Sequence, residues 1–460
     1  MDNLLLCGPA RRRARRALIV SVAGAAVLGG TLAPAARERA APPAPGPAVR
    51  ALGAVTAAVP AALPDLAVLI GEREARVRAD PGDARSWAVL GAAYTEQGRR
   101  TANPAYFPRA DRALRTSLEI APRRNADAAE GLAALAVARR DFPSAKWWGE
   151  VARRLEPRRW TAHALLIEAY TGLGDHQAAG RSLDRLTELR SGPAVMARAA
   201  AVDRDRGRRE DAAAEIADAA ALAEAPAERA AYLERAGQLA FERGDRQTAL
   251  RYFEQALRTD PDQRAAQAGQ GRALAALGRT TQALAVYQAA LARQPCPAFA
   301  LELGELYESL GLRRAARVQY DLLRARVREA AAGGADEELV LGLFEADHGD
   351  PEAAVRRLRD EWRRQPGTAV ADALGWALHR AGQDEEALGF ARTATEGERG
   401  GGVRSALYSY HRGMIERELE RYGSARRHLQ EALRINPYFS PLHVPVARRA
   451  LRALGEAPVD

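Results

Sequence analysis

Seven histidines, two cysteines and a few glycine pairs are the residues whose types allow chemistry, and their spacing decides against most of it. His163, His176, His348, His379, His411, His428 and His443 form no H-E-x-x-H pair and no three-ligand spacing, so no metal site is expected. His176, in Gly174-Asp175-His176, and His348, in Asp347-His348-Gly349-Asp350, fall at turns and read as solvated. Gly269-Gln270-Gly271 begins a dinucleotide-type GxG, but it lies inside a helical pattern with no strand before it. A phosphate-binding P-loop needs a lysine after its glycines, and Lys146 lacks that context. Cys7 and Cys296 are too few for a disulfide framework or a cysteine zinc site. Cys296, in Gln294-Pro295-Cys296-Pro297, has no histidine near it in sequence and reads as a passive thiol. Glu337-Glu338 and Glu385-Glu386 sit on solvated helix faces, and of Trp147-Trp148 one ring is expected to pack inward. These residues point to a protein that is not an enzyme and carries no cofactor.

The 460 residues carry a formal charge of +9, with Lys+Arg 68 against Asp+Glu 59. Residues 1–50 hold eight arginines and two acids, so +6 of that charge belongs to the first segment and +3 to everything after it. Arg11, Arg12, Arg13, Arg15 and Arg16 precede an uncharged run over residues 17–36 that ends near Ala33-Pro34-Ala35. That order reads as a signal peptide or a transmembrane signal anchor over 1–36. Either form exports the remainder, secreted or anchored to the cytoplasmic membrane; the alternative is a cytoplasmic protein with an Ala/Arg tail. Residues 37–64 are rich in Pro and Ala and read as a tether. Lys146 is the only lysine among the 68 basic residues, the bias of a high-G+C bacterial coding sequence. Arginines elsewhere interleave with acids, the mark of exposed helix faces, so no nucleic-acid partner is expected.

Ala, Leu, Arg and Glu dominate, and no β-branched run alternates with period two, so the chain should be all-α. A 34-residue interval relates Gly244, Ala249, Phe253, Ala256, Leu257 and Pro261 to Gly278, Ala283, Tyr287, Ala290, Leu291 and Pro295. The register extends from Ala110 to Ala425, which predicts about ten helix-turn-helix repeats over 84–437. Residues 65–83 read as an N-terminal half-repeat cap, and 438–460 as a capping helix and tail. Turn glycines are expected at Gly98, Gly174, Gly207, Gly244, Gly278, Gly311, Gly349 and Gly382. The repeat is uneven in places: residues 99–109 lengthen the first turn, and the links before Ala249, Ala354 and Ala425 are long.

Trp87, Leu90, Gly91 and Tyr94 reproduce the first helix of the tetratricopeptide repeat signature, and Ala249, Phe253 and Pro261 reproduce its second. Ala283, Tyr287 and Pro295 repeat the second helix with tyrosine for phenylalanine. Over residues 65–455 the chain therefore resembles the tetratricopeptide repeat family. The resemblance implies a right-handed superhelical solenoid whose first helices line a concave groove for partner segments. By register that groove would include Glu168, Glu234, Gln238, Phe241, Arg272, Glu305 and Glu308. In the last two units it would add Trp376, His379, Arg380, Tyr410 and Met414, an exposed aromatic cluster of hot-spot composition; the alternative is that Trp376 is core, at a first-helix packing position. The function implied is a protein–protein interaction scaffold binding proteins or peptides, touching a membrane only through residues 1–36. The alternative is a sensor of peptides or glycans whose superhelix changes pitch, with the long links as hinges.

Overall fold

Good helix formers fill this chain, so the interruptions set its architecture. The computed structural model describes residues 45–397 and 401–455; residues 1–36, expected to be a leader, lie outside them. Two helices, α1 (Pro47–Thr56) and α2 (Leu63–Ala79), precede ten antiparallel hairpins. Hairpins 1 to 5 are α3–α4 (Ala84–Thr101, Tyr106–Ile120), α5–α6 (Ala126–Ala138, Phe142–Leu155), α7–α8 (Trp160–Gly172, His176–Leu189), α9–α10 (Pro193–Asp205, Arg209–Leu222) and α11–α12 (Pro226–Glu242, Arg246–Thr259). Hairpins 6 to 8 are α13–α14 (Arg264–Ala276, Thr280–Arg293), α15–α16 (Pro297–Ser309, Arg313–Ala332) and α17–α18 (Glu338–His348, Pro351–Arg364). Hairpins 9 and 10 are α19–α20 (Thr368–Arg380, Asp384–Thr395) and α21–α22 (Ala406–Glu418, Tyr422–Ile435), and α23 (His443–Ala453) caps the end. No strand occurs among the described residues, and each helix packs on its sequence neighbours, as the repeat spacing predicts. The Ala/Pro-rich tether is corrected over 47–56: Pro47 starts α1 at its first turn, and Ala51 is buried with Leu66 and Leu69 of α2.

In hairpins 1 and 5 one bulky residue of the second helix fills the space left by glycines of the flanking first helices. Phe253 is fully buried against Gly237 and Gly269, and Leu114 against Gly91 and Gly131. A methyl group at either Gly237 or Gly269 would come within about 2.6 Å of the Phe253 ring. This is why Gly269-Gln270-Gly271 belongs to packing, not to a nucleotide. Aspartates at Asp141, Asp175 and Asp245 cap the second helices through their side chains. Of the expected turn glycines, Gly98 instead lies within α3 against Phe107, and Gly349 lacks a left-handed φ. Arg140 and Glu420 take the left-handed turn position in hairpins 2 and 10.

The solenoid winds until its own coils touch. The turn of hairpin 3 meets the link between hairpins 8 and 9, and the turn of hairpin 5 meets the link after hairpin 10. A Cβ on Gly174 would lie 2.6 Å from the Pro366 carbonyl oxygen, and one on Gly207 2.5 Å from that of Gly402. Both glycines have positive φ, so conformation and close approach demand glycine together. Asn436 donates to the Phe241 carbonyl oxygen at 2.8 Å, and the Arg246 guanidinium stacks over Tyr438 at 4.0 Å. The irregular repeats build this seam. The expected long first turn is corrected: its residues extend α3 to Thr101 and open α4 at Tyr106, and the short turn between them places Pro104 against Gly333, at the end of the 20-residue α16, while the Asp336 amide donates to the Arg139 carbonyl oxygen. Two of the three long links are helix extensions, in α11 and α16, not slack segments.

Candidate functional site

The polar residues expected in the groove form a ladder from hairpin to hairpin. Glu168 pairs with Arg198, and Arg204 takes Glu242 in a two-point pair at 2.8 and 2.9 Å. Gln238 donates to Glu242 and accepts from Arg272, which also binds Glu302 at 2.6 Å; Tyr287 donates to Glu302 at 2.7 Å. Arg272 stacks over Phe241, which is itself buried, so Phe241 supports the ladder without offering an open face. Burial works against the charges on Arg272 and Glu242. The opposite charge outweighs it in both: Glu302 holds Arg272 above its ordinary pKa, and Arg204 holds Glu242 below its own. Glu234 shows the reverse, with burial raising its pKa against the pull of Arg235 and Arg272.

Glu305 and Glu308 converge on His348, at 3.6 and 3.1 Å, with Tyr320 stacked on the imidazole at 4.6 Å. The expectation of a solvated turn is therefore corrected: the His348 side chain is buried. His176 is buried as well, with Nε2 3.0 Å from the Thr368 hydroxyl across the seam. Burial disfavours the His348 imidazolium, but Glu305 and Glu308 prevail and raise its pKa. A raised folded pKa stabilises fully below the unfolded value and loses that stabilisation as pH rises through the folded one. The stability difference between wild type and His348→Gln should accordingly be largest below about pH 6.5 and shrink as pH rises above it in urea unfolding. A difference that does not change with pH would contradict the ion pairs.

The exposed hot spot in the last units is also corrected. Trp376 is 2% exposed, and Tyr410 and Met414 are buried in the C-terminal core. Trp376 stacks on His411 at 4.2 Å and donates its indole N–H to Asp347 at 3.0 Å. His411 in turn pairs with buried Asp372 at 3.0 Å, and His443 lies 3.4 Å from Asp347. Burial opposes ionisation of Asp347, yet His443, His411 and Arg380 bring its pKa down to about 2. His379 bonds Asp384, burial lowering its pKa against that carboxylate, while Arg380 is largely exposed. Among the described residues no group of three His, Cys, Asp or Glu is placed to hold a metal ion. Cys296 caps α15, and burial raises its thiol pKa, which suits a passive thiol. Trp148 packs inward, and its edge-on neighbour Trp147 is exposed.

A cavity of about 880 Å³ lies where sequence reasoning did not look, between α1 and the first helices of hairpins 1 to 5. Val49, Leu52 and Val55 of α1 line it together with Val89, Ala134, Leu165, Ala197 and Ala231. Of the residues assigned to the groove only Glu168 lines it. The missed signal was a helix in a segment whose Pro/Ala composition reads as a spacer. Every carboxylate on the wall has an arginine partner: Asp83 has Arg76, Glu96 has Arg99, Asp127 and Glu130 share Arg159, and Glu168 has Arg198. Arg73, Arg85 and Arg235 also line it, and among the described residues none of the three has a carboxylate partner.

The repeat geometry agrees with a family comparison that covers its middle. Residues 234–295 and 269–331 match the tetratricopeptide repeat family model. That is the family likeness. The matched hairpins contain the Gly237–Phe253–Gly269 packing unit and most of the Gln238–Arg272–Glu302 ladder. No curated protein matches the sequence. Among solved structures, human IFIT1 as a dimer with m7Gppp-AAAA is 18% identical, over 68% of this chain and 71% of that one, with a TM-score of 0.47. A tetratricopeptide repeat protein from Parabacteroides merdae is 17% identical over 57% of this chain and 98% of its own, at 0.34. The APC/C hetero-tetramer Cut9-Hcn1 is 14% identical over 84% and 92%, at 0.32. Tetratricopeptide helical repeats are in general scaffolds for protein interaction.

Proposed function

We propose that this protein is a non-catalytic interaction scaffold that receives a partner segment in the cavity beneath α1. The cavity's charge balance carries the reading. Its apolar floor suits side-chain anchors, at a volume typical of binding pockets, roughly 300–1,000 Å³. All its wall carboxylates are ion-paired, while among the described residues Arg73, Arg85 and Arg235 form no ion pair, Arg235 facing Glu168 and Glu234 only at longer range. A segment that mixes apolar and acidic residues supplies what the wall lacks, and like charges repel basic segments. The leader over residues 1–36 supports export, so the scaffold would work outside the cytoplasmic membrane, secreted or anchored.

Val49 is 60% exposed and lines the cavity, which makes it a position for a photo-crosslinking residue. Crosslinking in cells, read by mass spectrometry, should yield partner peptides of acidic and apolar composition and, from the same sample, the N-terminus of the mature chain. Arg235→Glu should lower the yield about tenfold, the equivalent of about 1.4 kcal/mol, with helical content unchanged. Capture unaffected by Arg235→Glu would sink the cavity reading. An intact Met1 in the cytosol would sink the export reading.

A further inference from the structure

The superhelix covers its own edges over only part of its length. In hairpins 2 to 5 the turn lies against the link that follows the hairpin five places on: Arg139 against Asp336, Gly174 against Pro366, Gly207 against Gly402 and Phe241 against Asn436. No further coil follows α23 among the described residues, so this pattern leaves the turns of hairpins 6 to 10 open. At the other end it leaves open the links from residues 80–83 to 223–225. The turn glycines show the difference. Gly278, Gly311 and Gly382 keep the left-handed φ of the seam glycines, at 75 to 76°, yet a Cβ there would meet nothing within 4 Å.

Six of the ten large apolar side chains exposed among the described residues stand on these two open edges. Ile120, Leu155 and Leu222 end α4, α6 and α10 at the open links, and they are 38 to 58% exposed. Leu310 and Leu312 flank the open turn of hairpin 7, and Tyr422 follows that of hairpin 10, at 41 to 49%. Ile435 ends α22 in the same way, but its link meets the turn of hairpin 5, and it is 3% exposed. Charge repeats the polarity of the closed seam. There the turn-side Arg100 and Arg140 pair with Asp260 and Glu337 of the links. The open turns of hairpins 6 and 7 bring Arg279, Arg313 and Arg314, and the open links bring Asp80, Glu156 and Glu224. Arg123 and Arg124 of the link after hairpin 1 have counterparts in Asp350 and Glu352 at the turn of hairpin 8.

We infer that copies of this chain stack head to tail, the open turn edge of one on the open link edge of the next. The contact repeats between molecules the seam that each chain closes within itself. Apolar anchors among charges of both signs are the composition of such an interface. The two edges are different surfaces, so each pairing leaves one edge free on either copy and growth continues instead of closing at a dimer. Within one chain the connection holds turn and link at an effective concentration on the order of millimolar. Separate copies lack that connection and associate more weakly, with a Kd on the order of 1–100 µM.

Sedimentation velocity of the full chain from about 1 to about 100 µM tests this. The average mass should rise with concentration and pass beyond the dimer. Leu312→Arg on the turn edge and Leu222→Arg on the link edge change exposed positions, and helical content should stay unchanged. Each should weaken association at least tenfold. Mixed one to one, the two variants retain one intact edge apiece, so they should form a dimer and nothing larger. A wild-type chain that stays monomeric over this range would overturn the inference and leave the edges to a different protein. A wild-type mass that stops at the dimer, association that either variant leaves unchanged, or a mixture no heavier than its components would also overturn it.

Discussion

Trp376→Ala should destabilise the C-terminal hairpins by about 3–5 kcal/mol, the range for truncating a large buried aromatic. The ring packs against His379, Tyr410, His411 and His443 at centroid distances of 4.2 to 5.8 Å. Its removal leaves a cavity and takes away the indole N–H that Asp347 accepts. Asp347 keeps His443 and Arg380, so the lost hydrogen bond adds less than the lost packing. Stability in a stacked solenoid passes between neighbours, so hairpins 9 and 10 should unfold ahead of the others. Urea unfolding followed by far-UV circular dichroism should change from one transition towards two. Hydrogen exchange should accelerate in α19, α21 and α23 before it does in α11–α14. A loss below about 1 kcal/mol would mean that Trp376 is not a core residue.

The second large effect concerns the seam between coils. Arg100 binds Asp260 at 2.7 Å, with side-chain exposures of 3% and 10%. Two of the three Arg100 guanidinium nitrogens have no hydrogen-bond partner, so Asp260 is the main compensation for a buried charge. Asp260→Ala should therefore cost about 3–5 kcal/mol, the range for stranding one member of a buried pair. Replacing both groups, Arg100→Met with Asp260→Leu, should recover most of that loss, because desolvation of both ions is removed together. Unfolding of Arg100→Met, Asp260→Leu and the double variant gives the coupling directly. Small-angle scattering on Asp260→Ala should show a larger radius of gyration if the coil opens before it melts. Full additivity of the two single changes would exclude the pair as a seam contact.

Most of the repeat architecture was legible because its causes are local. The 34-residue spacing from Ala249 to Ala283 marks the close approach of two helices, and both residues are fully buried. Ten hairpins follow from turn and packing residues that act within one or two repeats. The candidate site was much less legible. Trp376 and Tyr410 occupy first-helix positions, and a helical register alone leaves open whether such a side chain faces a groove or the next hairpin. Burial by α23 and by the His411–Asp372 pair settles it inward. The charged groove positions were placed in the right region, but Arg272, Gln238 and Glu302 neutralise one another across repeats. The α1 cavity was missed because Pro47 and its alanines read as a spacer until α2 and α3 provide a surface for them.

Sequence alone determined the class of helix, the number of hairpins, the absence of local catalytic motifs and the concentration of +6 of the +9 charge in residues 1–50. Only the tertiary structure decided that the coils touch, because a small rotation per hairpin accumulates over several hairpins before Gly174 meets Pro366. The same accumulation gives the irregular repeats their purpose: the turn after the extended α3 and the long α16 meet each other, though more than 200 residues separate Pro104 from Gly333. Pairing of charges was likewise a tertiary outcome. An arginine is cationic wherever it stands, but whether it closes a ladder, as Arg272 does, depends on which carboxylates the superhelix brings within about 4 Å.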